Sequence, residues 1–303
     1  MLSPLVLHQH TFEWGARTYV MGILNITPDS FSGDGLFPFA APQESAGRPV
    51  GVDSAIAQAR QFVKAGVDIL DVGGESTRPG AEPVNEHEEM ERVLPVIRAL
   101  AAEFPDMLIS VDTYKASVAQ AALEAGAHIV NDVWGLRADP KLAAVVKHYN
   151  IPVILMHNRS NPKTAEVRDR LGGRYVGVEY ENLLEDVKHE LLESVAIAKS
   201  AGILDEKIIL DPGIGFGKTV EQNLELLNRL GEIRALGYPV LLGPSRKSFI
   251  GYTLDLPPDQ RVEGTAATIS VGITRGADII RVHDVLEMAR IARMTDAIIR
   301  PPR

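Results

Sequence analysis

Lys207-Ile208-Ile209-Leu210-Asp211-Pro212-Gly213-Ile214-Gly215-Phe216-Gly217-Lys218-Thr219 joins an apolar run, a carboxylate and three glycines, and then enters a helix-like segment. The run is rich in β-branched residues and too short for an ordinary helix. It reads as a strand buried on both faces, with Asp211 at its carboxyl end. Pro212 has no N–H to give a ladder and closes the strand, while Gly213, Gly215 and Gly217 let the backbone turn tightly and approach a ligand. This is one βα unit. Gly217-Lys218-Thr219 looks like the tail of a nucleotide P-loop, but the first glycine of G-x-x-x-x-G-K-[ST] falls at position 212, which is Pro212.

The same unit recurs along the chain. Strands are expected at Thr18 to Asn25, Val67 to Val72, Leu108 to Thr113, His128 to Val133, Pro152 to His157, Lys207 to Asp211, Tyr238 to Gly243 and Asp278 to His283. Helical periods follow at about Asp53 to Lys64, Glu86 to Phe104, Lys115 to Ala125, Lys141 to Tyr149, Glu181 to Ala201, Gln222 to Leu236, Gly264 to Thr274 and Val285 to Ile299. Eight strand-then-helix alternations argue for α/β class and a parallel (β/α)8 TIM barrel, as one domain over residues 1–303 with residues 1–17 as a lead-in. Two connections are long, 32–52 after the first strand and 158–180 after the fifth, and are read as loop insertions.

Composition narrows the functional classes. With 303 residues, 45% of them hydrophobic, the chain is long enough to bury a sizeable core. The apolar start Leu2 to Leu7 is broken by Pro4 and lacks a basic flank, so neither a signal peptide nor a membrane span is expected. The absence of cysteine excludes thiolate metal sites and disulfides and fits a cytoplasmic setting. A net charge of -9 argues against general affinity for nucleic acid or an anionic membrane, so an anionic ligand has to be caught by a local cluster of cations.

In a barrel the carboxyl ends of all strands meet at one mouth, and the polar residues of this sequence fall there. Asn25, Asp112, Asn131, His157, Asp211, Lys247, Arg281 and His283 would share a cavity. Taken singly, each has an ordinary reading: Asn131 or Asp132 would cap a helix, His157 would be a hydrogen-bonded rim residue, and Arg281 would pair with Asp284 or Asp278. Together they sort by charge. Asp112, Asn131 and Asp211 offer acceptors and an amide suited to a flat heterocycle with N–H donors, and Lys247 offers a donor to a ring carbonyl or nitrogen. Arg281 and His283, two apart on one strand face, would hold an anion such as a diphosphate with Arg78 and Asn25.

These residues lie in longer motifs. Asn25-Ile26-Thr27-Pro28-Asp29-Ser30-Phe31-Ser32, Gly74-Glu75-Ser76-Thr77-Arg78-Pro79-Gly80, Ser110-Val111-Asp112-Thr113, Asn131-Asp132, Asp211 to Lys218, Ser245-Arg246-Lys247-Ser248 and Arg281-Val282-His283 resemble the dihydropteroate synthase family, from about Tyr19 to the last helix. The resemblance implies a transferase of folate synthesis that condenses 6-hydroxymethyl-7,8-dihydropterin diphosphate with 4-aminobenzoate. It assigns the pterin to Asp112, Asn131, Met156, Asp211, Phe216 and Lys247. It assigns the diphosphate to Asn25, Thr77, Arg78, Arg281 and His283, with Mg2+ at Asn25, and 4-aminobenzoate to Phe31, Thr77, Pro79, Ser245 and Lys247. Asp112, Asp211, Lys247, Arg281 and His283 are the residues it implicates in catalysis. It also implies a homodimer; Ile269, Ile273, Leu286, Met288 and Ile291 on the carboxyl-terminal helices read either as barrel packing or as part of a dimer face.

The chain departs from the family pattern in places. Ser32-Gly33-Asp34-Gly35 stands where Asp-Gly-Gly is more frequent, a Pro- and Ala-rich extension follows to Val52, and Asn158 replaces a bulkier residue. One rival is a pterin-dependent methyltransferase that passes a methyl group to a corrinoid partner. It would share the Asp and Asn pocket but has no use for Thr27 to Ser32, Ser245-Arg246-Lys247 or the Arg281-x-His283 pair. Another is a pterin-binding module without catalysis, whose sign would be a missing anion site.

Overall fold

The computed structural model describes residues 2–26, 51–77, 82–168, 170–176 and 179–300. It opens on an antiparallel hairpin of β1 (Leu5–Leu7) and β2 (His10–Phe12), and continues with β3 (Tyr19–Asn25), β4 (Ile69–Gly73), β5 (Leu108–Asp112), β6 (Ile129–Asp132) and β7 (Val153–Met156). A second antiparallel hairpin, β8 (Ala165–Arg168) and β9 (Gly172–Tyr175), precedes β10 (Ile208–Asp211), β11 (Leu241–Leu242) and β12 (Ile279–Val282). Eight of these strands form one parallel sheet in the order β10-β7-β6-β5-β4-β3-β12-β11, and the Leu210–Val240 bridge joins its two edges into a closed barrel. All eight expected βα units are present. Closure leaves no edge strand and gives the carboxyl ends a common face.

Alternation along the strands separates two cores. One residue set, Met21, Ile69, Leu108, Ile129, Ile154, Ile209, Leu241 and Ile279, packs inside the barrel, and the other, including Leu70, Val111, Val130, Leu155, Leu210 and Val282, packs outward against the helices. The first hairpin, expected only as a lead-in, adds Leu5 and Phe12 to the inner set, with the Phe12 ring 4.6 Å from Tyr19. It closes the amino-terminal end of the lumen, so the opposite end is the one open to a ligand.

Helix ends follow local chemistry. Asn85 and Asn182 accept from the backbone N–H of Glu88 and Glu185, and Thr219 and Gln222 form a reciprocal capping box. The helix expected from Gln222 to Leu236 therefore starts at Val220, and it is divided into Val220–Asn228 and Leu230–Arg234. A short helix, Ser248–Leu254, was not expected; it places Lys247 at its N-cap position, just after the left-handed Arg246. The described part of the 158–180 segment is folded, not merely exposed. It contains the second hairpin, buries Leu171 and Tyr175, and is held by the Arg261 guanidinium donating to the Leu171 carbonyl. No helix among the described residues is long and apolar enough to cross a membrane.

Candidate active site

Counting two residues on from each inner apolar position names the next ring of the lumen. Ile69 leads to Asp71, Leu108 to Ser110 and Asp112, Ile129 to Asn131, Ile154 to Met156, Ile209 to Asp211 and Ile279 to Arg281 and His283. The register sets Asn25 beside Gly73, Gly73 beside Asp112, Asp112 beside Asn131, and Asp211 beside Met156. An apolar floor thus carries a polar ring directly above it, at the open end.

Arg281 ties that ring together. Its Nε donates to Asp71 Oδ2 at 2.6 Å and its Nη2 to Asp112 Oδ2 at 2.6 Å, while Asn131 Nδ2 donates to the same Asp71 oxygen at 3.2 Å. The expected alternatives for Arg281 do not form: Asp284 is held by Arg246 and Asp278 by Arg234. The acidic and cationic sets read separately from the sequence are therefore joined across the lumen. Asp71 is the functional residue that sequence reasoning missed. Its signal was its parity with Ile69 inside an otherwise apolar strand. Among the described residues, Asp71 Oδ1 and the neighbouring Ser110 Oγ are buried with no hydrogen-bond partner. Such groups cost about 1–3 kcal/mol each when left unpaired and mark a place where a polar ligand or water belongs.

On the opposite wall Asp211 accepts from the Gly213 N–H at 2.7 Å, and Lys247 Nζ donates to the Ile214 carbonyl while lying 4.4 Å from the Phe216 ring centroid. Lys247, expected to serve a ring ligand, is bonded to the glycine loop. Burial displaces the charged groups from their ordinary ranges. Asp112 is pushed up to about 7 by desolvation, against the pull of Arg281 and with the repulsion of Asp71. Lys247 is brought down to about 8 by desolvation, opposed by Asp211. Asp211 is raised by burial and held back by Lys247 and the Gly213 N–H. Arg281 is raised above its usual value because Asp71 and Asp112 outweigh its own burial.

The remaining expected residues divide. His283 N and Nδ1 lie 3.2 and 3.1 Å from the Ser245 hydroxyl, which brings both to the rim. Asn25 is half-buried at the end of β3 and Thr77 is exposed. Phe31, Arg78 and Pro79 lie outside the described residues. His157 does not belong to the cavity. It has the opposite parity from Met156 and is buried behind the barrel wall, with Nδ1 2.9 Å from Lys218 Nζ and Nε2 3.3 Å from Glu190. Asp132 likewise faces away and accepts from the Trp134 and Leu136 N–H groups, leaving Asn131 as the lumen residue of the pair.

Chemically, the mouth combines acceptors for a flat N–H-bearing ring with an arginine and a histidine suited to an anion. Comparison with known proteins agrees. Residues 21–283 match the profile of a family described as pterin binding enzyme. A dihydropteroate synthase of Clostridium beijerinckii is 51% identical over 290 residues, covering 95% of this chain and 97% of its own. Among solved structures, the dihydropteroate synthase of Clostridium difficile, determined in the presence of pteroic acid, superposes with a TM-score of 0.82 at 48% identity and covers 95% of this chain and 99% of its own. That of Xanthomonas albilineans with 4-aminobenzoic acid gives a TM-score of 0.82 at 37% identity, covering 97% and 96%.

Proposed function

The chain belongs to the pterin-binding enzyme family, within it to the dihydropteroate synthases, and from that premise we propose how this barrel performs the condensation. The observation that carries the reading is the ring of buried Asn131 and Asp211 and half-buried Asp112 and Lys247, set beside Arg281 at the open end of the lumen. The pterin enters that ring flat. Asp112 and Asp211 accept from its N–H groups, Asn131 pairs with a mixed donor and acceptor edge, and Met156 and Phe216 wall its faces. Lys247 leaves the Ile214 carbonyl to donate to a ring carbonyl or nitrogen. The diphosphate arm lies toward Arg281, His283, Asn25, Thr77 and Arg78.

The bond from the pterin methylene carbon to the diphosphate oxygen then breaks, and its electron pair departs with the diphosphate. Positive charge grows on the pterin side, where Asp112 and Asp211 face it, and negative charge grows on the leaving oxygens, where Arg281 and His283 donate. The amine of 4-aminobenzoate, held by Ser245, Lys247, Thr77, Phe31 and Pro79, attacks the carbon, forms the C–N bond and gives up a proton. No residue forms a covalent intermediate.

A magnesium ion fits this donor set only in one way. Among the described residues no group of three or more His, Asp or Glu side chains is placed to hold a metal, and Asn25 offers a single neutral oxygen. A hard cation that keeps several waters and takes the rest of its ligands from diphosphate suits such a site. When bound there it would neutralise leaving-group charge; Arg281 and His283 do the same work from the protein side.

The test is direct. Purified protein mixed with 6-hydroxymethyl-7,8-dihydropterin diphosphate, 4-aminobenzoate and Mg2+ should release diphosphate and dihydropteroate in equal amounts. Substrates that persist unchanged would sink the reading.

A homodimer is part of the same proposal, and for three of the carboxyl-terminal candidates the barrel-packing reading holds. Ile269, Ile273 and Met288 are buried within the barrel packing, so they cannot form the face. The exposed large apolar side chains on the last two helices, Val262–Thr274 and Val285–Ile299, are instead Val271, Leu286, Met294, Ile298 and Ile299.

A further inference from the structure

Lys218 is the part of the opening motif that neither the excluded nucleotide reading nor the site assigned above accounts for. It is among the most fully buried large side chains of the molecule. Its Nζ donates to the carbonyls of Gly213 at 2.9 Å and Phe216 at 3.1 Å, and lies 2.9 Å from His157 Nδ1. Behind it stands Glu190, 3.3 Å from His157 Nε2 and also bound by Arg159 and Arg137. Nε2 faces this carboxylate without completing a hydrogen bond to it among the described residues, and Nδ1, set against the buried amine of Lys218, is the nitrogen placed to accept. Three acceptors then surround Nζ, matching the three N–H bonds of an ammonium; a neutral amine would meet them with an unmatched lone pair. Burial lowers the Lys218 pKa well below the lysine range, and Asp211 and Glu190 oppose that shift.

The two carbonyls that Lys218 grips bracket the loop presenting the pterin wall. Between them lies Ile214, whose carbonyl receives Lys247, and at the end lies Phe216, whose ring faces the same ammonium. Gly213 in turn gives its N–H to Asp211. Lys218 thus holds both ends of that loop from behind without reaching the lumen, while Asn223 Oδ1 accepts from the Gly215 N–H between them.

We propose that Lys218, oriented by His157 and Glu190, is a positioning residue for pterin binding. It acts through the Gly213 and Phe216 carbonyls to hold Asp211, Phe216 and the resting place of Lys247 in register. This rests on the lumen being the pterin pocket.

Lys218→Met keeps an unbranched side chain one atom shorter and removes its donors. The expected result is a KM for the pterin substrate raised about tenfold or more, with the inhibition constant of inorganic diphosphate, which reports the Arg281 side, within about twofold of wild type. His157→Leu should raise the same KM about fivefold, and His157→Asn, whose oxygen accepts at the δ position, should return it to within about twofold. Combining Lys218→Met with His157→Leu should add little to Lys218→Met alone, because the two act as one unit. An unchanged pterin KM in Lys218→Met, equal weakening of pterin and diphosphate, or full additivity of the pair would overturn the proposal. If Lys218→Met does not fold by circular dichroism, the His157→Leu and His157→Asn comparison decides it with the same readouts. Wild-type protein that makes no dihydropteroate would instead remove the pterin assignment itself, so the two failures are told apart.

Discussion

Arg281 holds carboxylates that stand 210 and 169 positions earlier in the chain, and this distance is why its partners could not be read locally. Sequence neighbours such as Asp278 and Asp284 were the natural candidates, yet strand parity aims Arg281 into the lumen and leaves those two to Arg234 and Arg246. The pairing has consequences for substitution. Lys247→Ala and Arg281→Ala should each lower kcat/KM at least about 100-fold, the scale seen when a preorganised charge is removed from a reacting centre. Their stabilities should differ. Arg281→Ala leaves Asp71 and Asp112 buried without a counter-charge, a loss of about 3–5 kcal/mol by thermal unfolding, whereas Lys247→Ala relieves a desolvated cation and should melt near wild type. Full turnover in Lys247→Ala would count decisively against the assigned role. The same groups set a pH window. With Asp112 titrating at about 7 and Lys247 at about 8, kcat/KM for the pterin substrate should fall below the first, as the carboxylate is neutralised, and above the second, as the ammonium is lost. The linkage signs are opposite. Asp112 is raised in the folded state, so its contribution to stability is present below the ordinary Asp range and is lost as pH rises through about 7; Lys247 is depressed, so its contribution is present above the ordinary Lys range and is lost as pH falls through about 8. The protein is electrostatically most strained where it is most active, and a flat rate profile from about pH 5 to about pH 10 would contradict both assignments.

Elements were legible where their period was long enough to register. Most barrel strands carry β-branched residues and end at or beside a polar residue, with Leu241–Leu242 an exception, and the glycine and asparagine stops at Gly66 and Asn150 are left-handed C-caps, as such stops usually are. The hairpin strands of the amino end are three residues each, and Ser248–Leu254 is seven, so neither offers a full repeat to recognise. Thr219 and Gln222 did give a readable start signal, the Ser/Thr-x-x-Glu/Gln box, which the hydrophobic period alone passed over. Two substitutions separate the roles of this segment. Thr219→Ala removes a cap and should cost about 1 kcal/mol, or about 2–4 °C in melting temperature, with little change in turnover. Gly213→Ala is a different matter. Gly213 has φ +69°, and a Cβ there would sit 1.8 Å from the His157 carbonyl oxygen, which is backbone and cannot swing aside. The loop has to move, taking the Asp211 and Ile214 contacts with it. Gly213→Ala should therefore lose more than about 2 kcal/mol of stability and most pterin affinity, measured by melting and by pterin fluorescence titration. A variant that binds pterin normally would show that the loop is not the wall of the pocket.

At the scale of the whole molecule, counting βα units read the barrel, and barrel closure then did what no local motif does: it brought side chains from several strands to one mouth. What the count could not give was which helix faces remain uncovered once the barrel is packed. Ile269, Ile273 and Met288 share the apolar character of Leu286 and Ile298, but the first three are consumed by packing and the latter two are 44% and 68% exposed. Leu286, Met294 and Ile298 recur at multiples of four along Val285–Ile299, which places them on one stripe of that helix, and Val271 stands exposed on the helix before it. This stripe is the surface on which the proposed homodimer would pair about a two-fold axis. Sedimentation should give about twice the 32.9 kDa chain mass at micromolar concentration. Met294→Glu with Ile298→Glu should yield a monomer whose barrel is intact by circular dichroism, because both side chains are largely outside the core. The lumen opens at the carboxyl ends of the strands, and its polar ring is supplied by one chain. The monomeric variant should accordingly keep its pterin affinity within about threefold. Wild-type protein that sediments as a monomer would leave the stripe without this explanation; a dimer that survives both charges would place the interface elsewhere.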